Sequence, residues 1–576
     1  MLSFSQLKKN LKKDFFGFEK IKIAVLGDTA TQFLVQSLRA TGYNHGFNLE
    51  IFESDFNQIE RQVHDPSSEL YKFMPEVVIV FKSSHKLLQK YNKLDPSQCE
   101  DLAEDEIQLI REINEALNTR LKAKVIYYNY PEINDSIFGN YANKINSSFL
   151  FQLRKLNLEL MVYASNSSSF FVCDLSSIQN LAGKSNFFQS SVYVNTEMVL
   201  SLDVLPVVAA STVDIIGALN GRVIKCVILD LDNTIWGGII GDDGLENIQL
   251  GSLGIGKAFT EFQYWIKKLK DRGIIVAVCS KNTEAIAKEP FEKHPDMILR
   301  LEDISVFVAN WENKVNNICQ IQEILNIGFD SMVFLDDNPF ERNIVRENIP
   351  GIIVPELPED PAEYLEHLYS LNLFETISFS GEDRERTRLY KVEAQRNSIK
   401  NKFINEDDFL ESLNMFSLVE SFNKFNTPRV AQLSQRSNQF NLRTVRYSEL
   451  DIGMISTSDE HYSFSFTLED KFGDNGLICV VILKKEDEKT VFIDTWFMSC
   501  RVLKRGMEHF VLNTLANFAR KHDFAVLKGE YVPTAKNEMV KDHYKSLGFD
   551  EKNGFWIQEV MKYRDKKCFI KTNKNG

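Results

Sequence analysis

Two aspartates, Asp230 and Asp232, stand one residue apart at the end of an apolar run, in CVILDLDNTIWGGIIGDDG (226–244). Residues two apart in a strand point to the same side, so both carboxylates can face one crevice at the strand's carboxyl end. Adjacent carboxylates repel each other unless a cation neutralises them, and Mg²⁺ is a hard cation that prefers oxygen ligands. The spacing suits a magnesium site, but for this pair alone solvated loop acids are the more ordinary interpretation.

Two further apolar stretches and one predicted helix supply polar groups to the same part of the chain. Ser280 ends GIIVAVCS, where its hydroxyl and the N–H groups of the next turn can hold an anion. Lys314 lies near the start of a predicted helix and offers a cation to a phosphate. SMVFLDD ends in Asp336 and Asp337, which can reach the same metal. Taken alone, the serine could be a helix cap and the lysine could be an ordinary surface residue. Taken together with the aspartates, these residues predict Mg²⁺-dependent phosphoryl chemistry.

This order of strand-DxDxT, strand-S, K and strand-DD resembles the signature of the haloacid dehalogenase (HAD) superfamily of phosphohydrolases, over about 222–370. The resemblance implies that Asp230 is the nucleophile that forms an aspartyl phosphate and that Asp232 is the general acid and base. The implied phosphate-binding residues are Ser280, Lys314 and Thr234. The implied Mg²⁺ ligands are Asp230, Asp232 through its carbonyl, Asp336 and Asp337, with direct contact from either member of the last pair left open.

The intervals between these positions are short. About 48 residues separate Asp232 from Ser280 and about 34 separate Ser280 from Lys314. Once the strands and helices of the scaffold are counted, neither interval has room for a large inserted cap domain. We expect the site to be covered by the short WGGIIGDDG flap, by a neighbouring domain or by a macromolecular substrate, and an open site suits a carrier-tethered group.

The sequences of the motifs are more similar to one branch of that superfamily than to the superfamily as a whole. DLDNTIWGGIIGDDG, VCSKN and FLDDNPFERN resemble the FkbH-like proteins, and the likeness continues over about 220–560 in EDRERTRLYKVEAQR, VAQLSQRSNQFNLRTVRY and MSCRVLKRGME. It is weaker in the N-terminal block. The resemblance implies dephosphorylation of a three-carbon acid such as 1,3-bisphosphoglycerate and transfer of the glyceryl group to the phosphopantetheine arm of an acyl carrier protein, in secondary-metabolite or surface-polysaccharide biosynthesis.

The C-terminal block resembles GNAT acyltransferases. In CRVLKRGMEHFVL, Gly506 near a helix start resembles the last small residue of their pyrophosphate loop, where backbone N–H groups receive phosphate. Lys504 stands where that pattern has glycine, which leaves binding of coenzyme A open. Tyr544 occupies a position often used by a general acid, and an ordinary half-buried aromatic fits it equally well.

A thioester transfer can use a protein thiol as a relay. Cys500 is one candidate, because Arg501 and Arg505 nearby would favour its thiolate. Cys279 is the other candidate, although strand alternation turns it away from Ser280 and into the core. Both cysteines also fit the role of small buried hydrophobic residues.

The segment RVAQLSQRSNQFNLRTVR (429–446) holds arginines among amides without an acid. It predicts a basic patch that binds a substrate phosphate or the acidic surface of a carrier protein. The alternative is that these residues form a solvated helix face. The candidate binding residues here are Arg429, Arg436, Asn438, Gln439, Asn441 and Arg443, with Arg446 at the end of the segment.

The N-terminal block contains LGDTATQFL, which resembles the first motif of SGNH hydrolases with Thr29 at the position of the nucleophilic serine. Asp174 and Ser177 stand where a DxxH base would be, so no histidine is available to activate a hydroxyl. We interpret this block as a catalytically degenerate SGNH-like fold that serves binding or docking.

The predicted fold class is α/β with three domains. Continuous apolar runs between helix-like stretches indicate parallel sheets covered on both faces: IKIAVLG, PEVVIVF, AKVIYYN and FFVCDL, then VIKCVILDL, GIIVAVCS, DMILRL, SMVFLDD and GIIVPEL. The third block alternates in HYSFSFTLED, with a turn predicted at FGDNG and helices at 506–521 and 535–546. The expected divisions are an SGNH-like flavodoxin-type α/β domain (1–218), a HAD Rossmann-like α/β domain without a large cap (219–375), a connecting helix (376–404) and a GNAT-like α+β domain (405–576).

The amino-acid composition excludes some classes of binding partner and favours one cellular compartment. A net charge of −13 argues against broad nucleic-acid binding, and no apolar window is long enough to span a membrane. Eight scattered cysteines without a CxxC pair fit a reducing cytoplasm. The leading hypothesis is a cytoplasmic enzyme that dephosphorylates a small acid and transfers its acyl group to a carrier protein. The alternatives are a stand-alone phosphatase acting on a metabolite or sugar phosphate, and a non-catalytic scaffold that binds the carrier protein.

Overall fold

The chain folds into two compact units, Met1–Leu219 and Asn220–Gly576. In the described part of the chain, no helix is both long enough and apolar enough to cross a membrane. The finer division of the second unit, with a connecting helix at 376–404, stays a prediction. This computed structural model describes the following residues: 2–379, 381–384, 386–400, 403, 405–499, 502–534 and 536–572.

A parallel sheet of five strands lies at the centre of the first unit, in the order β2-β1-β3-β4-β5 over its described residues. The strands are β1 Glu19–Gly27, β2 Phe47–Glu53, β3 Val77–Phe81, β4 Lys124–Tyr128 and β5 Phe170–Cys173. The helices are α1 Phe4–Leu7, α2 Gln32–Asn44, α3 Ile59–His64, α4 Glu69–Phe73, α5 Ser84–Tyr91, α6 Leu102–Leu121, α7 Phe149–Ser165, α8 Leu175–Ala182, α9 Lys184–Phe187, α10 Ser190–Thr196 and α11 Leu205–Leu219.

The four predicted strands of this unit are confirmed as β1, β3, β4 and β5. All five residues of β3 are buried, which explains its continuous apolar sequence. The polar residues in FNLEIFE interrupt its apolar run, and β2 was therefore not predicted. Because β1 pairs with β2 on one side and with β3 on the other, the order of the sheet reverses there. Such a switch point opens a crevice at the carboxyl ends of the strands.

The second unit begins with a four-stranded parallel sheet of order β8-β7-β6-β9 in its described residues. Its strands are β6 Cys226–Leu229, β7 Ile275–Ser280, β8 Val306–Ala309 and β9 Met332–Leu335. Alternate residues of β6 enter different cores, Val227 and Leu229 on one face and Cys226 and Ile228 on the other. The sheet is therefore covered on both sides, as its apolar runs predicted.

Helices connect and cover these strands. They are α12 Ile240–Asp243, α13 Gly254–Asp271, α14 Glu284–Lys293, α15 Lys314–Leu325, α16 Pro339–Asn348, α17 Tyr364–Ser370, α18 Gly381–Arg384 and α19 Arg386–Lys400. The last two fall within the predicted connecting helix at 376–404, of which residues 380, 385, 401, 402 and 404 lie outside the described residues.

Two strand predictions for this sheet were wrong. DMILRL is not a strand, because the N–H groups of Ile298 and Leu299 both donate to Gln263 Oε1, at 2.9 and 3.1 Å, instead of to a neighbouring strand. Its apolar residues still enter the core, and the strand β8 follows it. GIIVPEL makes only a single bridge, between Ile353 and Val333, in the described structure. Apolar side chains alone therefore do not distinguish a strand from an irregular buried segment.

The remainder of the second unit is built on a mixed sheet, in the described order β16-β17-β15-β14-β13-β12-β10-β18 with β11 beside β12. Its strands are β10 Met415–Ser417, β11 Val419–Glu420, β12 His461–Asp470, β13 Gly473–Lys485, β14 Thr490–Met498, β15 Val526–Gly529, β16 Asp550–Lys552, β17 Phe555–Glu559 and β18 Ile570–Thr572. Its helices are α20 Glu406–Ser412, α21 Thr427–Arg436, α22 Glu449–Ser456, α23 Met507–Lys521 and α24 His543–Ser546.

The predicted α+β character of this region agrees with the structure, with two local differences. The turn after β12 falls at 471–472, because Asp470 Oδ1 accepts from the Phe472 N–H at 2.8 Å, and FGDNG instead overlaps the start of β13. The predicted helix at 535–546 is reduced to a short 3₁₀ turn at Glu538–Val540 and to α24 in its described part. The strand β14 pairs antiparallel with β13 and parallel with β15.

Candidate active site

Three predicted site residues meet at one edge of the β8-β7-β6-β9 sheet because each stands at the carboxyl end of a strand. Asp230 follows β6, Ser280 ends β7 and Asp336 follows β9. The strands are in register, and the Asp230 N–H donates to the Leu335 carbonyl at 2.9 Å. Parallel sheets bind ligands at this edge, so side chains from separate parts of the sequence can act on one substrate.

A buried lysine joins two of these carboxylates. Lys314 is the first residue of α15 and is 3% exposed. Its Nζ lies 3.0 Å from Asp230 Oδ2 and also donates to Asp336 Oδ2. Burial alone would lower the pKa of Lys314, but the two carboxylates outweigh it and hold that pKa above its usual value. The lysine is thus a fixed positive charge at this edge of the sheet.

Three carboxylates offer oxygen atoms to a common point. One oxygen from each of Asp230, Asp336 and Asp337 lies within 4.8 Å of the others. Burial, followed by the charge of Asp230, raises the pKa of Asp336 to about 7 and also raises the pKa of Asp337. Such shifts arise where buried carboxylates crowd together with too little positive charge nearby. A hard divalent cation fits this all-oxygen donor set.

Asp232 is held by three hydrogen bonds and its side chain is not part of that carboxylate group. Its Oδ1 accepts from Trp236 Nε1 at 2.9 Å and from the Ile240 N–H at 3.0 Å. Its Oδ2 accepts from Asn282 Nδ2 at 2.8 Å. Burial raises the pKa of Asp232 above its ordinary value. The two aspartates of the motif therefore occupy different environments, which suits different chemical roles.

The WGGIIGDDG segment is ordered by its own contacts. Trp236 is fully buried and packs edge-on against Phe291, with ring centroids 5.9 Å apart. Asp243 Oδ2 accepts from the Ile239 N–H at 2.7 Å and closes the short turn that contains α12. From here to Ser280 the fully described chain contains α13 and short connections. This interval therefore holds no separate cap domain.

Thr234 differs from its predicted role in phosphate binding. Its side chain is fully buried. The hydroxyl donates to Asp337 Oδ1 at 3.2 Å and accepts from the Asp337 N–H at 3.1 Å. It therefore positions that carboxylate instead of facing a ligand. Ser280, which is 1% exposed, stays a predicted phosphate ligand.

Two site residues were missed in the sequence. Arg342 is 4% exposed, and its Nη1 donates to the carbonyls of Asp336 and Asp337 at 2.8 and 2.6 Å, so it holds the loop after β9 in place. Asn282 is 4% exposed and orients Asp232. Their signals were present in FLDDNPFERN and VCSKN, but only the fold brings these side chains back to the carboxylates.

The basic segment 429–446 lacks acids of its own, yet acids from distant positions pair with its arginines. Arg436 binds Asp383, which is 1% exposed. Arg443 Nη1 lies 2.6 Å from Asp494 Oδ1. The prediction of an unpaired basic patch is therefore wrong for these two arginines, because neighbours in sequence do not reveal which acids fold against a segment.

Other members of the segment make contacts within it and with the start of the second unit. Arg429 donates to Gln432 Oε1 at 2.5 Å. Asn438 Nδ2 donates to the Gly221 carbonyl at 2.8 Å, and Asn438 Oδ1 accepts from Arg446 Nη2 at 2.5 Å. These side chains make structural contacts within the unit, but Arg429 and Asn438 also line the cavity described next, so their role in binding stays a prediction.

A small cavity remains beside this segment, with a volume of about 70 Å³. Lys225, Gln439 and Ser499 contribute to its wall. Lys225 precedes β6 and its Nζ donates to the Arg436 carbonyl at 3.2 Å. The cavity therefore lies toward the amino ends of the sheet strands, away from the edge that carries Asp230.

The predicted binding amide Asn441 lies within a strand-like segment beside β14. Its side chain is 1% exposed, and it bridges with Phe497 in antiparallel fashion. The Asn441 carbonyl accepts from Asn537 Nδ2 at 2.9 Å. The Val532 N–H donates to the Leu442 carbonyl at 2.9 Å. The segment therefore occupies the space between β14 and the chain that follows β15.

The predicted C-terminal site residues are mostly buried. Arg505 is 3% exposed and pairs with Glu393 and with Asp470 Oδ2, the latter at 3.2 Å. Gly506 adopts φ 75° at the start of α23, a conformation that favours glycine. Tyr544 is 1% exposed, and burial raises the pKa of its hydroxyl well above the usual value. Arg505 and Tyr544 therefore have core positions that oppose their predicted roles.

The two relay candidates have different outcomes. Cys279 is fully buried, its Sγ lies 3.9 Å from the Lys314 carbonyl, and burial raises the pKa of the thiol well above its usual range. A thiolate relay at Cys279 is therefore disfavoured. Cys500 and its neighbour Arg501 lie outside the described residues.

The SGNH-like positions of the first unit also have structural roles. Thr29 is fully buried. Asp174 Oδ1 accepts from Asn129 Nδ2 at 2.7 Å and from the Ser177 N–H at 3.0 Å, so it caps the start of α8. These contacts agree with a catalytically degenerate site, which stays a prediction.

Comparisons with known proteins cover both units. Residues 22–217 match the family model described as FkbH, N-terminal domain. A similar solved structure is the N-terminal part of protein BF1531 from Bacteroides fragilis, containing a phosphatase domain complexed with Mg. It is 57% identical, covers 66% of this chain and all of that chain, and has a TM-score of 0.63. No curated protein matches this chain.

Acetyltransferase structures are similar to a smaller share of the chain. The ribosomal-protein-S18-alanine N-acetyltransferase from Escherichia coli is 16% identical, covering 25% of this chain and 94% of its own, with a TM-score of 0.20. Mutant forms of the spermidine/spermine N-acetyltransferase SpeG from Vibrio cholerae are 12% identical, with 26% and 95% covered and a TM-score of 0.21. The family match of the first unit and the full coverage of a 57%-identical relative together define the family. The chain belongs to the FkbH-like branch of the haloacid dehalogenase superfamily.

Proposed function

We propose that this chain is an enzyme that dephosphorylates a small phosphorylated acid and transfers its acyl group to the thiol of an acyl carrier protein. The convergence of Asp230, Lys314, Asp336 and Asp337 at one sheet edge is the observation that carries the first activity. The proposal of the second activity rests on the FkbH-like family.

The first step is transfer of the phosphoryl group to Asp230. An Asp230 carboxylate oxygen attacks phosphorus, and the bond between phosphorus and the substrate oxygen breaks. The electron pair stays on that oxygen, which takes a proton from Asp232. Because burial raises the pKa of Asp232, its proton remains available closer to neutral pH. Lys314 neutralises negative charge beside the nucleophile.

The second step returns the enzyme to its starting state. Asp232, now ionised, takes a proton from a water molecule, whose oxygen attacks the phosphorus of the aspartyl phosphate. The bond from phosphorus to the Asp230 oxygen breaks, and inorganic phosphate leaves. Hydrogen bonds from Trp236, Ile240 and Asn282 keep the Asp232 carboxylate in one orientation for both proton transfers.

Mg²⁺ is the proposed cofactor. Asp230, Asp336 and Asp337 would hold it, and the Asp232 carbonyl is a further predicted ligand. When bound, the ion supplies positive charge to the phosphoryl oxygens. Thr234 orients Asp337 for this purpose. The structure of the 57%-identical relative in complex with Mg supports the assignment.

The proposed substrate resembles 1,3-bisphosphoglycerate, because its two phosphates suit the two activities. Removal of the ester phosphate leaves the acyl phosphate, which is activated for thioester formation. The carrier thiol attacks the carbonyl carbon, the bond to the phosphate oxygen breaks, phosphate leaves with the electron pair and the thiol proton passes to solvent. The absence of a cap domain between Asp232 and Ser280 suits a carrier-tethered group. Because glycolytic intermediates are cytoplasmic, the proposed reaction takes place in the cytoplasm.

The test is incubation of the protein with Mg²⁺, 1,3-bisphosphoglycerate and a phosphopantetheinylated carrier protein, followed by intact-mass measurement and a phosphate assay. We expect a glyceryl adduct on the carrier together with phosphate release. Asp230→Asn should abolish phosphate release through the ester, because an amide cannot act as the nucleophile. The exposed Asp203→Asn is the matched control and should behave like the unchanged protein. A fully active Asp230→Asn protein would contradict the mechanism.

A stand-alone phosphatase is the second candidate. It is favoured by the pairing of Arg436 and Arg443 within the chain and by the core position of Cys279, since the arginine charges are already matched by acids and the thiol is not exposed. Phosphate release without a carrier adduct would support it. No turnover with retained carrier binding would instead support a scaffold.

A further inference from the structure

The first unit contains a cavity of about 390 Å³ that the phosphatase chemistry does not use. It lies at the carboxyl ends of β1 and β3, where Asp28 follows one strand and Lys82 the other. Because the strand order reverses at β1, this is the switch point of the sheet. Open α/β sheets bind their ligands at such points.

Three lysines of one stretch of sequence line the cavity. Lys82 directly follows β3, and Lys86 and Lys90 lie on α5 at intervals of four residues. Residues four apart lie on the same face of a helix. The interval thus explains how one short segment can present several ammonium groups to a single space, as a site for an anion requires.

The charges of this wall are partly balanced. Glu106 is 3% exposed and receives two lysines, Lys82 at 3.0 Å and Lys90 at 2.5 Å. Lys86 pairs with Glu197 at 2.7 Å. Asp28 and Glu60 also line the cavity, whereas Glu197 does not, so the lining holds three lysines and three carboxyl groups. Glu106 is nevertheless shared by two lysines, and an incoming anion can take the place of Glu106 at Lys82.

The remaining lining combines hydrogen-bonding and apolar groups. Both carboxylate oxygens of Asp28 accept from the Ser83 N–H, at 3.0 and 2.9 Å. Burial raises the pKa of this carboxyl group to about 7, so near neutral pH its protonated form can donate a hydrogen bond. Asn57 adds an exposed amide, and Leu87 adds an apolar wall.

We propose that this cavity binds a small hydroxylated anion, a carboxylate or a phosphate monoester, with Lys82 and Lys86 at its charged end and Asp28 at a hydroxyl group. The cavity has room for a ligand of a few carbon atoms beside its charged group. The first unit thereby acts as a binding module whose ligand is independent of the carboxylates of the second unit.

The test is calorimetric titration of the full chain with D-glycerate in one arm and glycerol 3-phosphate in the other. Asp230→Asn is present in every protein so that the second unit does not hydrolyse the phosphate probe. Leu109→Trp fills the cavity without changing a charge, and Lys82→Met removes one ammonium group. The exposed Lys72→Met is the matched control.

We expect binding in at least one arm, weakened tenfold or more by Leu109→Trp and by Lys82→Met and unchanged by Lys72→Met. The arm that responds distinguishes a carboxylate from a phosphate ligand. Bound ligand should also slow reductive methylation of Lys82 and Lys86, read by peptide mass spectrometry, which locates binding in this cavity. Circular dichroism checks that each variant is folded. Absence of binding in both arms, or equal affinity for the unchanged and the Leu109→Trp chains, would overturn the proposal.

Discussion

Removal of the Asn282 amide should shift the alkaline limit of phosphatase activity to higher pH. Asn282 Nδ2 donates to Asp232 Oδ2 at 2.8 Å and stabilises its charged form. Without this donor the ionised carboxylate is less stable, so its pKa rises and the group stays protonated to higher pH. Since the first step needs protonated Asp232, the descending limb of the kcat/KM profile should move upward with Asn282→Ala.

The structure bounds the size of that shift. A hydrogen bond to a charged group contributes about 1.5 to 3 kcal/mol, and one pKa unit corresponds to about 1.4 kcal/mol. Two other donors, Trp236 Nε1 and the Ile240 N–H, remain on Asp232 in the variant. Water can also replace part of the lost interaction because Asp232 is only half-buried. We therefore expect a shift of about 0.5 to 1 pH unit.

The assay is initial-rate phosphate release from pH 5 to 9 at saturating Mg²⁺, with kcat/KM fitted at each pH. Asn348→Ala is the matched control, because Asn348 is exposed on α16 and its amide donates to the Ile344 carbonyl, far in sequence from the acid. Its profile should coincide with that of the unchanged chain. A profile for Asn282→Ala that is unmoved, or moved to lower pH, while activity persists would refute the assignment of Asp232 as the acid.

Three further outcomes are expected. Arg342→Met should raise the Mg²⁺ concentration for half-maximal activity about tenfold, because the guanidinium holds the two carbonyls after β9; an unchanged requirement in Mg²⁺ titrations would contradict this. The raised pKa of Asp28 makes its ionisation costly, so stability falls as pH rises from about 4 through 7, by at most about 4 kcal/mol. Asp28→Asn should therefore raise the melting temperature at pH 8 and have less effect at pH 4, and equal effects would contradict the sign. Arg436→Met should lower the urea midpoint by an amount equivalent to about 2 kcal/mol, since it leaves Asp383 with one cation fewer, whereas the exposed Arg564→Met should not.

The sheet edge that carries the candidate site in the second unit was predictable, because its polar residues stand directly at the ends of strands. Asp230, Ser280 and Asp336 each follow an apolar run, and parallel strands bring such positions together whatever their separation in sequence. The position of Lys314 could not be predicted from its local sequence, since nothing in its own helix indicates that its ammonium group turns inward to two carboxylates. The motif order supplied that information through the family resemblance.

The arginines of 429–446 illustrate what sequence could not provide. Their local surroundings contain no acid, and the acids that pair with them, Asp383 and Asp494, lie about 50 residues away on either side. Ion pairing at such a distance depends on how elements pack. The irregular segment DMILRL has a similar cause, because one glutamine side chain replaces the strand partner that its backbone would otherwise need. Local sequence patterns predict neither these long-range ion pairs nor the hydrogen bonds from the backbone to the glutamine side chain.

Attachment of the 429–446 segment at Lys225 has a consequence for the path of the substrate. Lys225 and Asp230 stand at opposite ends of β6, five residues apart and therefore about 17 Å from each other along the strand. A molecule released at Asp230 would have to cover this distance to reach the cavity beside Lys225. Because β6 is buried on both faces, a route along the protein surface, free in solution or on a long flexible tether, suits an intermediate shared by the two places. The separation therefore favours a mobile delivery arm over an internal channel.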